Sequence, residues 1–519
     1  MKFVSEPRIA VKIRRMQERV RWQHDQVTKR GIDQTRLHVE GGIGQSAPFS
    51  FLVLGDSGTG RHRGSNPQRR VAECLIEKGQ DAHFTLHTGD VVYLVGSSEQ
   101  YRSNFIRPYR EWLVGGEHYK KIAYDRMLFK RPFFPVLGNH DYYDLPRLWG
   151  ILAGLGGPLR YLLRSYIDLD VGWHGSFKGE AYTKAFIDFL QGVPESQLDA
   201  HLERHYDSEF AGDRCLTYRP GQFTRVPNRY YTFRYGGIDF FALDSNTFND
   251  PLPLDHADSQ GDNRQQLRAQ RNQLEAEKNQ ILRELGLDAA NPMNDEEHGD
   301  LTGELEELDE AIYDIDKQLN KAGTSSMVDH QQLDWFRDRL LASWRDPSSR
   351  GRIVFLHHPP YVTEATKWFQ GQTLAVRHHL RNVLDAVQTE VGDLAQGQPL
   401  LNLVLCGHAH CFEYLRTEDT GHGDAHIPWV ICGGSGYSLR RQRPEGPELR
   451  EPMDGQERLV ATSKLFLGRT GKGSTLKRPY TALRVEVSAT DPLQISAVPL
   501  VAEKLKSGWQ SYTCEPLKL

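Results

Sequence analysis

The sequence predicts an α/β fold, and two observations predict it. Five short apolar runs, at 49–54, 82–86, 133–137, 352–356 and 401–405, have the length and near-continuous apolar composition of parallel strands buried on both faces. Each run leads directly into a turn carrying carboxylate, amide or imidazole residues, with a glycine beside them at 55, 89, 138 and 407. In order these are Gly55-Asp56-Ser57-Gly58, Gly89-Asp90-Val91-Val92-Tyr93, Gly138-Asn139-His140-Asp141, His357-His358-Pro359-Pro360 and Gly407-His408-Ala409-His410. Open α/β sheets bind at the carboxyl ends of their strands, which is where all five turns fall.

The elements follow in chain order. Residues 1–48 are expected to form a basic helical arm. Ile9, Ile13, Met16 and Val20 recur at helical spacing among Arg8, Lys12, Arg14, Arg15, Arg19 and Arg21. Packing against its own domain is favoured over lying on an anionic membrane surface. Residues 49–501 form one enlarged α/β domain with two insertions. The first, 142–228, leaves directly from the third motif and is expected either as a lid or pocket wall or as an ordinary buried packing element; its apolar start, 148–157, is too short to cross a bilayer. Residues 229–232 and 238–243 read as a strand pair around Gly236-Gly237.

The second insertion, 250–323, reads as an antiparallel helical hairpin with coiled-coil seams. Leu267, Leu274 and Ile281 recur at seven, then Leu301, Leu305, Leu308, Ile312, Ile315 and Leu319 alternate steps of four and three, with a turn at 289–294 between them. Its acidic end (Glu304, Glu306, Glu307, Asp309, Glu310) reads as a solvated face with nothing catalytic in it. The hairpin is a candidate arm for homo-oligomerisation or a protein partner. An amphipathic helix at 331–341 feeds the fourth motif, 429–432 and the closing segments 481–487 and 493–501 read as strands, 464–478 as a basic glycine-rich loop, and 502–519 as a C-terminal tail.

Composition excludes several classes. The chain has 519 residues, 38% hydrophobic and 25% charged, and a net charge of −4, which gives no global attraction to nucleic acid. Six cysteines in this length make no disulfide scaffold, so free thiols in a reducing compartment are expected. MKFVSEPRIAVKIRRM lacks the apolar core of a signal peptide, and no run of about 18 apolar residues predicts a spanning helix. A cytoplasmic location is the expectation.

The ligand types point to a two-metal site for a small phosphoester substrate. Two cations about 3.5–4 Å apart offset phosphoryl charge and lower the pKa of a bound water. A carboxylate bridging them is the best way to hold them so close. Asp90 is the expected bridge. Asp56 and Tyr93, with one histidine of the His408/His410 pair, complete one metal; Asn139, His357 and the other histidine complete the second.

These ordered motifs resemble the calcineurin-like metallophosphoesterases and, within them, the purple acid phosphatase-like subclass. Gly58 and Tyr93 select the subclass, since many metallophosphoesterases carry a histidine ligand at the place of Gly58. The resemblance implies a four-layer α/β/β/α sandwich, two mixed sheets face to face with helices outside. It implies Fe(III) held by Asp56, Asp90, Tyr93 and His410, and a divalent ion (Fe, Zn or Mn) held by Asp90, Asn139, His357 and His408. The Val-x-x-His pattern from Val354 picks His357 and leaves His358 facing substrate or behind the ligands. His140 is implied to sit beside the phosphate, and Asp141 reads either as its orienting partner or as a solvated loop aspartate. The sequence departs from the family where another histidine often reaches toward substrate: 364–368 has none, and Lys367 is the candidate phosphate contact there. The implied activity is a phosphomonoesterase using a metal-activated hydroxide. The alternatives are a phosphodiesterase or nucleotide pyrophosphatase on the same ligands, or a partner-binding scaffold with a vestigial site.

Overall fold

The computed structural model describes residues 5–59, 66–93, 95–145, 175–210, 212–253, 260–287, 295–320, 326–436, 438–453, 456–471, 475–490, 492–505 and 507–519. Among them lie two large mixed sheets. The smaller runs, in spatial order, Gly508–Thr513, Ile495–Leu505, Arg478–Val487, Phe49–Leu54, Phe84–His87 and Phe133–Pro135, with Leu517–Lys518 also paired to Ile495–Leu505. Its last three strands are parallel and carry the first three motifs. The larger runs Glu448–Met453, Gln456–Leu467, Phe412–Thr417, Pro428–Cys432, Leu403–Cys406, Gly351–Phe355, Ile238–Ala242, Tyr231–Tyr235, Ile32–Val39, Asp213–Tyr218 and Ser208–Phe210. Its parallel neighbours Gly351–Phe355 and Leu403–Cys406 carry the other two motifs.

Aromatic side chains join the sheets. Phe51 and Phe84 stack at 5.0 Å, and both meet Phe240 of the larger sheet edge-on at 5.5 and 5.4 Å. Phe134 meets Phe233 at 4.3 Å. Each such fully buried side chain contributes about 1.5–3 kcal/mol of transfer free energy. Every residue of Phe49–Leu54 is buried, which fits its unbroken apolar run. The opposite face of the larger sheet is covered by the helices His330–Arg345 and Gly371–Val391, whose Phe336, Leu340, Val376, Leu380 and Val387 pack with Val354, Leu356 and Val404.

The ends of the chain differ from their sequence reading. The helix Ile9–Arg19 buries Ile9, Lys12, Met16 and Arg19 against the domain. Beyond it, however, Ile32–Val39 is a strand inside the larger sheet, parallel to both its neighbours. Residues 502–519, read as a tail, contribute strands to the smaller sheet. Ile32–Val39 buries consecutive residues and Gly508–Thr513 is exposed along its second half, so neither carries the strict alternation that marks a half-buried strand.

The helices Gln260–Leu287 and Asp295–Asn320 lie side by side, tied by ion pairs of Arg271 with Asp316 at 2.7 Å and of Lys278 with Asp309. The expected turn at 289–294 and the apolar tract at 148–157 lie outside the described residues. Among the described residues no helix is long and apolar enough to cross a membrane. All six cysteines are free thiols.

Candidate metal centre

Three of the motif turns force a side-chain-bearing residue into the left-handed region. Asp56 has φ 52°, Asp90 φ 55° and His408 φ 67°. Such conformations cost of order 1–3 kcal/mol each and persist only where the surroundings enforce them. Here they turn each strand end so that its next side chain points into one shared space. The Asp56 N–H donates to the Gly89 carbonyl at 3.0 Å, which ties the first turn to the second. Gly58 is needed for a different reason: a Cβ there would sit 2.3 Å from the Val91 carbonyl oxygen and 2.3 Å from Val92 Cα. The position has no room for a histidine, and its carbonyl instead accepts from the Tyr93 N–H at 2.9 Å.

The seven candidate ligands converge. The Tyr93 hydroxyl lies 3.1 Å from Asp56 Oδ1, 3.0 Å from Asp90 Oδ2 and 2.8 Å from His410 Nε2. Asn139 Oδ1 lies 2.9 Å from His357 Nε2 and 3.2 Å from His408 Nδ1. His357 Nε2 is 3.4 Å from Asp90 Oδ2, so Asp90 stands between the two groups. Their remaining polar atoms are anchored from behind. His357 Nδ1 meets the Thr88 carbonyl at 2.8 Å and His410 Nδ1 the Ser438 carbonyl at 3.0 Å. Asp56 Oδ2 accepts from the His408 N–H at 2.8 Å, and Asp90 Oδ1 from the His140 N–H at 2.8 Å. Among the described residues, Asp56, Asp90 and His357 bring donor atoms within 4.8 Å of one another, as do His357, His358 and His408. Hard oxygen donors gather around Tyr93 and an amide with imidazoles around Asn139, a donor set that fits two cations sharing Asp90.

Side chains packed this closely perturb one another's ionisation. Burial and the charge of Asp90 push the Asp56 carboxyl well above its ordinary range. Burial opposes the Asp90 charge as well, but His357 and His140 beside it hold its carboxyl low. Burial disfavours a charged His357, yet Asp90 and Asp56 lift it to about 9. His408 is pushed down to about 4 by burial and by Lys367, and His410 well down by burial and by Arg440. Both therefore offer neutral imidazoles with a lone pair available for coordination.

One sequence assignment needs correction, and the alternatives for His358 narrow to one. Asp141 does not orient His140. Its buried carboxylate accepts from the backbone N–H groups of Asp90, Val91 and Gly138 at 3.0, 3.1 and 2.9 Å, so it clamps the second and third turns together. His358 faces neither substrate nor solvent. It is fully buried, with Nδ1 2.8 Å from Ser245 Oγ and Nε2 3.3 Å from Asn249 Nδ2. His140 is partly exposed, its ring 4.2 Å from that of Tyr93 and its Nε2 4.0 Å from Asp90 Oδ2.

The acidic end of the second insertion also departs from the solvated face read from sequence. Glu304 pairs with Arg469, and Glu310 reaches the metal centre. Glu310 Oε1 lies 3.3 Å from His408 Nε2 and Oε2 lies 2.7 Å from Lys367 Nζ. Sequence reasoning missed Glu310 because it sits in a run of carboxylates. It also falls two positions from both Leu308 and Ile312, off their apolar stripe, so no helical periodicity points to it.

Neither a protein-family model nor a curated protein sequence matches the chain. Among solved structures, the chain is similar to a purple acid phosphatase, PPD1, from yellow lupin (Lupinus luteus) seeds, with 13% identity, TM-score 0.42, and 92% of this chain covered. It spans only 55% of that protein's length. It is also similar to PhoD, with 10% identity, TM-score 0.37, and 91% of this chain and 73% of the other covered. GAP50, the anchor in the inner membrane complex of Plasmodium, matches with 12% identity and TM-score 0.35 over 91% of this chain and 89% of its own.

Proposed function

We propose that the chain is a metal-dependent phosphoester hydrolase acting on phosphomonoesters, with a dinuclear centre in an α/β/β/α sandwich. The observation that carries this is the convergence of Asp56, Asp90, Tyr93, Asn139, His357, His408 and His410 around Asp90 from turns up to 354 positions apart. The Tyr93 side holds Fe(III), to which a phenolate is suited, and the Asn139 side holds Fe, Zn or Mn(II). Bound there, the pair would supply a low-pKa water and neutralise phosphoryl charge.

The protein's own groups do the rest. His140, on the open side of Asp90, donates to a phosphoryl oxygen or to the departing alkoxide. Asp141 fixes the Asp90 and Gly138 turns so that His140 and the carboxylate keep their spacing. Buried His358, hydrogen-bonded to Ser245, backs the His357 and His408 rings at 4.9 and 4.5 Å and limits their tilt.

The test is a metal inventory of the purified chain with rates on an aryl phosphate and a bis-aryl phosphate. Two equivalents of metal and a preference for the monoester support the proposal. Substoichiometric metal with no phosphoesterase rate in metal-supplemented buffer would refute it, and a diester preference would move it to the phosphodiesterases.

A further inference from the structure

We propose that Glu310, carried by the helix Asp295–Asn320, is a positioning residue of the metal centre: it fixes the tautomer of His408 and so makes that helix part of the site. The inference rests on the dinuclear reading above. His408 turns Nδ1 toward Asn139 Oδ1, at 3.2 Å, and Nε2 outward. A neutral imidazole coordinates through the nitrogen that lacks a proton. For Nδ1 to coordinate, Nε2 must carry the hydrogen and needs an acceptor.

The accounting around Nε2 leaves one acceptor. Three side chains approach it: Lys367 Nζ at 3.1 Å, Gln372 Nε2 at 3.1 Å and Glu310 Oε1 at 3.3 Å. Lysine has only protons to give and finds Glu310 Oε2 at 2.7 Å. The Gln372 amide donates to Glu310 Oε1 at 3.0 Å and to Gln370 Oε1 at 2.8 Å. The carboxylate thus satisfies all three neighbours at once. A carboxylate on the outer nitrogen of a metal-binding histidine fixes ring orientation and raises ligand basicity.

The helix is itself anchored beside this contact. Asp314, one turn on from Glu310, accepts from the Gly371 N–H at 2.6 Å and the Gln372 N–H at 3.1 Å, which caps the helix Gly371–Val391 from outside. Lys317, a further turn on, pairs with Glu6. Glu310, Asp314 and Lys317 share one helix face, so the depth of Glu310 in the site is set by the cap.

The experiment titrates metal-stripped full chain with Zn(II) against a chromophoric chelator. Wild type is compared with Glu310→Ala, Glu310→Gln and Glu310→Asp, each first matched to wild type by circular dichroism. Wild type should bind two ions. Glu310→Ala should keep one at wild-type affinity and hold the other about 10–100-fold more weakly, with Glu310→Asp recovering part of the loss. Glu310→Gln, which keeps the size of the side chain and loses its charge, should fall between and stands in if the alanine variant misfolds. Two-ion binding by wild type with unchanged second-site affinity in both Ala and Gln variants overturns the proposal. The same result with a lower KM would show that Glu310 merely blocks Lys367, which overturns it too. Failure of wild type to bind two ions removes the dinuclear reading itself.

Discussion

The Tyr93 hydroxyl lies 2.8 Å from His410 Nε2, although 317 positions separate the two residues in sequence. The same hydroxyl is within 3.1 Å of both Asp56 and Asp90, so it stands at the centre of the oxygen-rich half of the site. Burial and the two carboxylates push its ionisation well up, and a trivalent cation is what would remove that proton. Iron-loaded protein should therefore show a tyrosinate-to-iron charge-transfer band in the visible. Tyr93→Phe should lose the band while keeping the fold; a band that survives the substitution excludes Tyr93 as a ligand.

Asp90→Ala removes the carboxylate that stands between the Tyr93 and Asn139 groups. Metal content should drop from two ions toward one or none. The phosphatase rate should fall by more than the about 10–100-fold typical of outer-shell changes. Elemental analysis and a rate assay read this directly, and near wild-type activity would sink the assignment.

Gly58→Ala tests the close approach of the first and second turns. The added Cβ meets backbone atoms at 2.3 Å, which a side-chain rotation cannot relieve. The expected cost is about 1–3 kcal/mol, as for other overpacked sites, seen as a lower denaturant midpoint at unchanged m-value. An unaltered midpoint would mean the two turns separate easily.

Glu413 gives a pH dependence away from the ligands. Burial raises its carboxyl from 4.5 to about 7, with Thr363 donating to it through both N–H and hydroxyl. A raised acid binds its proton more tightly in the folded state. Its stabilising contribution is therefore full below pH 4.5 and lost as the pH climbs through 7. The shift corresponds to about 3 kcal/mol. Glu413→Gln should flatten the slope of stability between those pH values in urea titrations. An identical slope in the variant would remove Glu413 as its source.

The motif turns were legible in the sequence because each demand is local. An apolar strand, a glycine and a polar ligand occupy fewer than a dozen positions, and Asp56, Asp90, Asn139, His408 and His410 follow that grammar, while His357 follows its strand directly. What was illegible is whatever depends on a distant element. Asp141 neighbours His140 in sequence, yet the tight turn sends its carboxylate back to the Asp90 and Val91 amides. His358 and His357 are adjacent, chemically identical and both buried, and only their distant partners tell them apart: Ser245 and Asn249 for His358, Thr88 and Asn139 for His357. Glu310 belongs to a carboxylate-rich helix whose docking onto Gly371 and Gln372 no local pattern announces. Ile32–Val39 mixes charged and apolar residues, and its place in the larger sheet is set by Asp213–Tyr218 and Tyr231–Tyr235.

The pairing of Phe49–Leu54 with Arg478–Val487 has a bearing on how the protein is born. The strand that presents Asp56 leaves the ribosome first, and its antiparallel neighbour is translated more than 400 residues later. At about 5–20 residues per second that is a wait of tens of seconds with one hydrogen-bonding edge bare. Sequence-distant pairings of this kind are slow to form and expose the nascent chain to aggregation. Expression yield should accordingly respond to chaperone supply and to growth temperature more than to any substitution at the metal ligands.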